Sequence, residues 1–364
     1  MLSYFVVFIL LALMALFSME PKLRHYTGLL VALCLVVIAI FSGIRSGDVA
    51  ADYESYKDIF SQFDGVFDGG FQQVLNDDYF FEPGFAFLIV IIKSFTANFV
   101  VFLILISLLT SFLLFFTLKK LTVFPVLAIL IFYSYDFFTN YMVAIRFGLA
   151  STLGLFVLLQ ISNKKYTVAF ILILISMTLH TAAIVLFLPY FLSFIKLKRS
   201  YVLLTLGLAL IMGYVEIGGV ILNYFMLDWL PRVSSAEVYM NDESYGQSLS
   251  FLGMINLKYL ILAFLTYIFW NKLSLKFKHF DMLVWFLLST IILRIGFHEL
   301  GFIIGRTSAL LGIVEIIIVP LLFAIVFKNK LLCFIGVIVY ALIHLLFVLF
   351  VKNYGAYSSV LVWN

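Results

Sequence analysis

The sequence predicts an all-α polytopic integral membrane protein of about twelve transmembrane helices, with residues 1–364 forming one domain. Three observations predict it. Of the 364 residues, 65% are hydrophobic and only 12% charged, whereas a soluble domain is about half apolar and a quarter charged. Mean hydropathy is +1.17, which is more apolar surface than a water-soluble core can absorb. Apolar runs recur along the whole chain, and in lipid a helix is the element that satisfies its own backbone groups.

The runs fall at about 2–19, 27–43, 98–118, 123–138, 142–161, 166–180, 182–195, 201–225, 251–270, 281–297, 307–327 and 331–351. The first has no basic residues before it and no small-residue cleavage site after it, so it reads as a retained span and not a signal peptide. A shorter run, Phe85 to Phe95, reads as a re-entrant or interfacial helix that begins after Glu82-Pro83-Gly84, where proline suits the first helical turn. Lys165 to Lys196 could be one long kinked helix. Both of its flanks are lysine-rich and should share a side, which favours two short crossings split at His180-Thr181.

With the N-terminus outside, six turns face the cytoplasm, carrying Lys22 and Arg24; Lys119 and Lys120; Lys164 and Lys165; Lys196, Lys198 and Arg199; Lys272, Lys276 and Lys278; and Lys328 and Lys330. Together they hold 14 of the 23 basic residues, all in short loops, as the positive-inside rule expects. Residues 45–83 and 226–250 become outer loops. Cys34 and Cys333 lie inside apolar runs and suit packed thiols better than a disulfide or a metal site.

Arginine is distributed differently from lysine. Arg45, Arg146, Arg232, Arg294 and Arg306, five of the seven arginines, fall at or near the outer surface. A planar guanidinium fork grips two oxygens at once and is the usual choice for phosphate or carboxylate, whereas lysine at a membrane edge mostly snorkels. This points to an anionic, phosphate-bearing ligand outside. The plainer reading is that each arginine pairs with an outer acid such as Asp48, Asp52, Asp58, Glu82, Glu237 or Glu299. Arg146 and Arg294 stand out because each is embedded in an apolar run, where an ionisable side chain usually faces an interior cavity.

Four constellations accompany these arginines. Arg45 is followed by Asp52, Tyr53 and Tyr56, which fit the start of a short helix with both rings on one face, a common sugar-binding surface but also an ordinary interfacial one. In Asp77-Asp78-Tyr79-Phe80-Phe81-Glu82-Pro83-Gly84-Phe85, Glu82 could be a base or the N-terminal cap of the following helix. His180 lies between hydroxyls at an outer turn. Arg294, His298, Glu299 and Arg306 crowd around glycines that permit close backbone approach. No phosphate-binding Walker loop, paired metal-ligand histidines, CxxC or Gly-x-Ser-x-Gly elbow occurs in the sequence.

At these residues the chain resembles the EpsG-type family of Wzy-like polysaccharide polymerases. The resemblance runs from residue 43 to residue 320, through Arg45 with Asp52-Tyr53 and Tyr56, Glu82 to Phe85, Arg146 with Ala150, His180 with Ala183, and Arg306 with Pro320. It implies a GT-C-like multi-pass enzyme of the bacterial cytoplasmic (inner) membrane that polymerises undecaprenyl-diphosphate-linked repeat units of an O-antigen or exopolysaccharide on the periplasmic face. Its partners would be a polyprenyl-diphosphate-linked donor and acceptor, the bilayer and a chain-length regulator, with no cofactor, no metal and no nucleic acid. Arg146 and Arg306 would meet the departing diphosphate, with Arg294 in support. His180 or Glu82 would act as base or orient the acceptor hydroxyl, and Arg45, Asp52, Tyr53, Tyr56, His298 and Glu299 would bind substrate. Three other activities stay open at this point. An O-antigen-ligase-like or other lipid-linked-sugar glycosyltransferase would share the donor, a lipid-linked oligosaccharide flippase would line a central cavity with charge, and a membrane acyltransferase would use an outer histidine.

Overall fold

The computed structural model describes residues 1–76, 82–219 and 248–361. The Asp77-to-Phe81 stretch and nearly all of the expected 226–250 outer loop, including Arg232 and Glu237, lie outside the described residues. Those described form an all-helical structure in which the only extended pairing is an isolated bridge between Arg45 and Ser359.

Every apolar run noted above contains helix. Five helices are long and apolar enough to cross a membrane: Leu2–Met19, Pro21–Gly43, Phe99–Leu121, Ile145–Ser162 and Lys330–Val351. Two bent pairs raise the count to seven if each is one span, Met254–Ile268 with Trp270–Lys276 at 78° and Ile303–Gly312 with Glu315–Val326 at 50°. Shorter apolar helices occupy Pro125–Ser134, Tyr166–Leu179, Thr181–Leu192 and Ser200–Tyr214. Helix Pro83–Lys93 has 11 residues, about 16 Å at 1.5 Å per residue and so about half of a hydrocarbon core. Proline at its first turn sets its start.

Burial separates centre from rim. Helix Ile145–Ser162 is 78% buried, against 28–39% for the other four long helices, and all ten residues of Pro125–Ser134 are buried. Around them, Leu2–Met19 and Phe99–Leu121 turn Leu2, Val6, Ile9, Leu13 and Phe112 outward, the lipid-facing pattern of peripheral helices. Hydroxyls knit the interior together, Ser42 to Ser107 and Ser111 to Tyr141, each at 2.9 Å. The central helix packs against Phe99–Leu121, Tyr166–Leu179 and Gly301–Gly312. Arg146 therefore opens the most enclosed long helix of the molecule.

The segment after Arg45 packs down onto this bundle. Tyr53–Gln62 is the expected short helix, and Tyr53, Tyr56 and Phe60 are buried along one face. Phe60 meets Phe102 with ring centroids 4.8 Å apart, and its carbonyl accepts from Lys93 Nζ at 2.8 Å. This packing carries Tyr56 to the mouth of the central helix.

Candidate active site

The site is assembled from three breaks in helical structure. Residues Phe138–Val143 form a wide turn that delivers Arg146 one residue into the central helix. Gly148 allows it, since a Cβ there would run into the backbone carbonyl of Asn140. Opposite, Glu82 is extended (φ −64°, ψ 135°) before Pro83 starts its helix. The third break is His180, also extended (φ −159°, ψ 124°), between helix Tyr166–Leu179 and the short helix Thr181–Leu186. The helix break expected at His180-Thr181 is thus present.

These breaks bring Glu82, Arg146 and the 180–182 turn together. Arg146 Nη1 donates to Glu82 Oε2 in a short ion pair. The other carboxylate oxygen, Oε1, accepts from the Thr181 backbone N–H at 3.1 Å and from its hydroxyl at 3.2 Å. The possibility that Glu82 caps its own helix is corrected here, because no side-chain cap bond forms at that terminus. Its carboxylate caps the neighbouring 181–186 turn instead, since those donors are aligned and a guanidinium waits on the other oxygen. Burial by itself would raise the Glu82 carboxyl; Arg146 first, then the Thr181 N–H, overturn that and hold it below the ordinary range.

Aromatic rings fix the guanidinium. Arg146 Nε reaches the Tyr56 hydroxyl at 3.5 Å, and its carbon lies 5.9 Å from the Tyr56 ring and 6.0 Å from Phe85. Burial raises the Tyr56 hydroxyl above its ordinary pKa, Arg146 opposing, so at neutral pH it is an uncharged donor. The Arg146 side chain keeps 21% of its surface exposed against 5% for Glu82, and so it is the more accessible member of the pair.

His180 stands beside this pair. Its Nδ1 accepts from the Ala182 N–H at 3.1 Å, and its ring meets Phe147 edge-on at 5.5 Å. With Nδ1 an acceptor, the neutral ring carries its proton on Nε2 and presents a donor there. Gly84 lets the segments approach: a Cβ there would collide with the Thr178 side chain and lie 2.8 Å from the Thr178 carbonyl oxygen.

The remaining expected residues divide. Arg306 is half-buried on Gly301–Gly312, the helix that packs against both the Arg146 helix and the 181–186 turn. Arg294 is buried and its Nη1 reaches Ser308 Oγ at 3.3 Å and the Gly305 carbonyl at 3.4 Å, the second residue after Arg306 and the residue before it. His298 and Glu299 belong to a separate tie: His298 Nδ1 is 3.3 Å from Glu299 Oε2, and Glu299 Oε1 accepts from the Gly218 and Gly219 N–H groups. Asp52 precedes the Tyr53 helix without capping it. Arg45 is wholly buried behind Tyr53.

The chain matches the family model of the EpsG family over residues 28–362, nearly its full length. It belongs to the EpsG family. EpsG proteins are Wzy-like polymerases, so the family resemblance seen in the motifs is established, and with it a membrane enzyme with a polysaccharide-polymerase-like role. No curated protein and no solved structure matches the chain.

One polar cluster of this EpsG protein escaped the reading of its sequence. Lys258 Nζ lies 2.5 Å from Glu315 Oε2, the Tyr340 hydroxyl donates to Glu315 Oε1, and His344 Nδ1 is 3.7 Å from that oxygen. They come from three apolar runs, Lys258 from 251–270, Glu315 from 307–327, and Tyr340 with His344 from 331–351, and an ionisable residue in such a run was the available signal. The four side chains line the wall of a 670 Å³ cleft that is otherwise apolar, or stand directly behind it.

Proposed function

We propose that this EpsG-family chain polymerises undecaprenyl-diphosphate-linked oligosaccharide repeat units into an O-antigen or exopolysaccharide at the outer face of the bacterial cytoplasmic membrane. The observation that carries the reading is the Arg146 guanidinium, aimed by Glu82 and Tyr56 and still accessible, beside a histidine that presents an N–H. Arginine held in that way suits the charge that develops on a departing diphosphate. In the same reading each of the twelve apolar runs is a crossing of one GT-C-like membrane domain, lysine-rich turns face the cytoplasm, and the loops 45–83 and 226–250 lie outside.

The chemistry is glycosyl transfer. The bond from the donor's anomeric carbon to the diphosphate oxygen breaks, its electron pair leaves with the diphosphate, and the acceptor hydroxyl oxygen forms the new glycosidic bond on the opposite face. Arg146 and Arg306 stabilise the leaving charge, and Arg294 holds the Arg306 turn in place. His180 orients the acceptor hydroxyl through Nε2–H. The Glu82 carboxylate receives the hydroxyl proton through Oε2, the oxygen that pairs with Arg146. A weak base suffices where departure of the diphosphate runs ahead of attack, because the hydroxyl becomes acidic only as its oxygen bonds. Asp52 lies at the sugar-facing segment that buried Tyr53 and Tyr56 anchor, with Tyr56 also steadying Arg146, and His298 and Glu299 shape the outer wall beside it.

The test is incubation of the purified protein in lipid with a lipid-linked repeat unit alone. A polymerase gives a glycan ladder and releases polyprenyl diphosphate. A requirement for a second, unrelated acceptor would mark a ligase, and movement of the lipid between leaflets without new glycosidic bonds would mark a flippase; either result refutes the polymerase reading.

A further inference from the structure

The last segment of the chain folds back over the end of helix Thr27–Gly43 and covers an arginine. Arg45 is 0% exposed. Its Nη1 donates to the Ser42 carbonyl at 2.6 Å, whereas Nε and Nη2 meet no hydrogen-bond acceptor among the described residues. Those two nitrogens form the edge with which a guanidinium grips two oxygens of one phosphate or carboxylate. The hydroxyls of Tyr4 and Tyr354 are buried without a partner as well, and the two rings meet edge-on at 6.0 Å. Tyr53 lies 5.9 Å from the guanidinium carbon, and Tyr56 and Tyr357 face the same charge. Buried donors are normally satisfied, and a buried cation normally has a counter-charge. Here three residues from three distant parts of the chain leave four such atoms unmet in one place.

The cover is light. It is tied down by the Ser46 N–H to the Ser358 carbonyl at 3.1 Å, the Val360 N–H to the Ile44 carbonyl at 3.0 Å, Ser359 Oγ to the same carbonyl at 3.1 Å, and the Tyr357 hydroxyl to the Phe41 carbonyl at 2.7 Å. Asn353, Gly355, Ala356 and Ser358 are exposed, and only Tyr354, Tyr357 and Ser359 turn inward. Tyr357 also stacks on Phe41 at 4.0 Å and the Ser46 and Ser358 hydroxyls meet, so the ties gather at residues 357–360, and lifting that end exposes a ready fork.

We propose that Arg45, together with the hydroxyls of Tyr4 and Tyr354, is a second phosphoryl-oxyanion site, masked by the C-terminal strap and opened when residues 355–360 lift about Tyr354. The natural ligand rests on the polymerase reading: a reaction that joins two diphosphate-bearing lipids needs two anion seats. Arg146 is one, and Tyr56 lies in the field of both arginines. The Arg45 seat takes the diphosphate of the second lipid or, by the same chemistry, a free phosphate.

The experiment titrates the full chain in nanodiscs with inorganic pyrophosphate and with farnesyl diphosphate, following the thermal transition and bound ligand. The variants are Arg45→Lys, Tyr354→Phe, Arg146→Lys and the pair Ser46→Cys with Ser358→Cys. Native Cys34 and Cys333 are buried, so oxidation locks the strap selectively. Arg45→Lys should weaken one binding component at least tenfold, Tyr354→Phe should weaken that same component severalfold, and Arg146→Lys should leave it in place. Oxidising the cysteine pair should abolish it and reduction restore it. Tighter binding of farnesyl diphosphate assigns the seat to a lipid-linked diphosphate, and equal binding assigns it to a free phosphate. Unchanged affinity in Arg45→Lys, equal affinity in the oxidised and reduced pair, or no binding by the wild type would overturn the proposal. Because binding is read without glycan, an Arg45-dependent component in a protein that makes no polymer would sink the polymerase reading and leave the seat standing.

Discussion

Arg146 and Glu82, 64 positions apart in the chain, form an ion pair whose carboxylate also takes the N–H and hydroxyl of Thr181. One side chain thus joins the start of helix Pro83–Lys93, the central helix and the histidine turn. Substituting Glu82→Gln keeps an acceptor for Thr181 and removes the charge. Breaking a buried pair costs about 3–5 kcal/mol; because Arg146 retains 21% exposure, a loss of about 1–3 kcal/mol is expected. Thermal unfolding in detergent measures it, and the swap Glu82→Arg with Arg146→Glu should recover part of the stability but no polymer formation.

The same pair sets an acid limit. Glu82 is held below its ordinary value of 4.5, so the folded protein binds this proton less readily than the unfolded chain. Its contribution is therefore complete above the unfolded value, shrinks as pH falls past about 4.5, and is gone once pH has dropped through the depressed folded value. Stability followed from pH 6 to pH 3 should show this limb in the wild type, and Glu82→Gln should flatten it. An equal acid decline in both proteins would mean that the pair does not set the limit.

His180→Asn separates fold from chemistry. An asparagine oxygen can accept the Ala182 N–H that His180 Nδ1 now takes at 3.1 Å, so protein yield should stay near normal while ladder formation falls about a hundredfold, in the range of a lost positioning group. His180→Ala should lose yield as well, since the Ala182 donor is then buried unpaired.

Much of this arrangement was legible in the sequence, for a physical reason. Arginine or histidine inside an apolar run is costly, so Arg146, Arg294 and His180 announce themselves, and Pro83 marks a helix start. What was not legible depends on long-range closure. Nothing local tells that Glu82 reaches a donor 99 positions away at Thr181 in preference to its own helix. The Lys258–Glu315–Tyr340–His344 cluster is dispersed over three runs, none of which shows by itself that its polar residues meet the others. Arg45 reads as an exposed loop cation until the far end of the chain folds over it.

Gly84 carries a prediction about that closure. A methyl group there meets Thr178 and its carbonyl, neither of which can yield without moving helix Tyr166–Leu179. Gly84→Ala should therefore destabilise by about 1–3 kcal/mol and reduce polymer formation by displacing Glu82. Thr178→Ala in the same protein removes only the side-chain part of the clash, so rescue should be partial; full activity of Gly84→Ala alone would show that the approach is not required.

The Lys258–Glu315 pair should behave as an interior ion pair outside the reaction. With side chains only 13% and 7% exposed, Lys258→Met alone should cost about 3 kcal/mol or more by stranding the carboxylate, and Lys258→Met with Glu315→Leu should cost less than the single change. A double-mutant cycle on unfolding midpoints measures this.

The central claim is that Arg146 meets phosphate oxygens through its fork and is not merely an anchor for Glu82. The direct measurement is ladder length beside immunoblotted protein for Arg146→Lys, with Arg306→Lys in parallel and Arg199→Lys as a control on the lysine-rich face. Lysine keeps the charge and can still pair with Glu82, but it loses the bidentate geometry. Abundance near normal with polymer reduced about a hundredfold or more is the expected result for Arg146→Lys; a normal ladder at normal abundance would contradict the account.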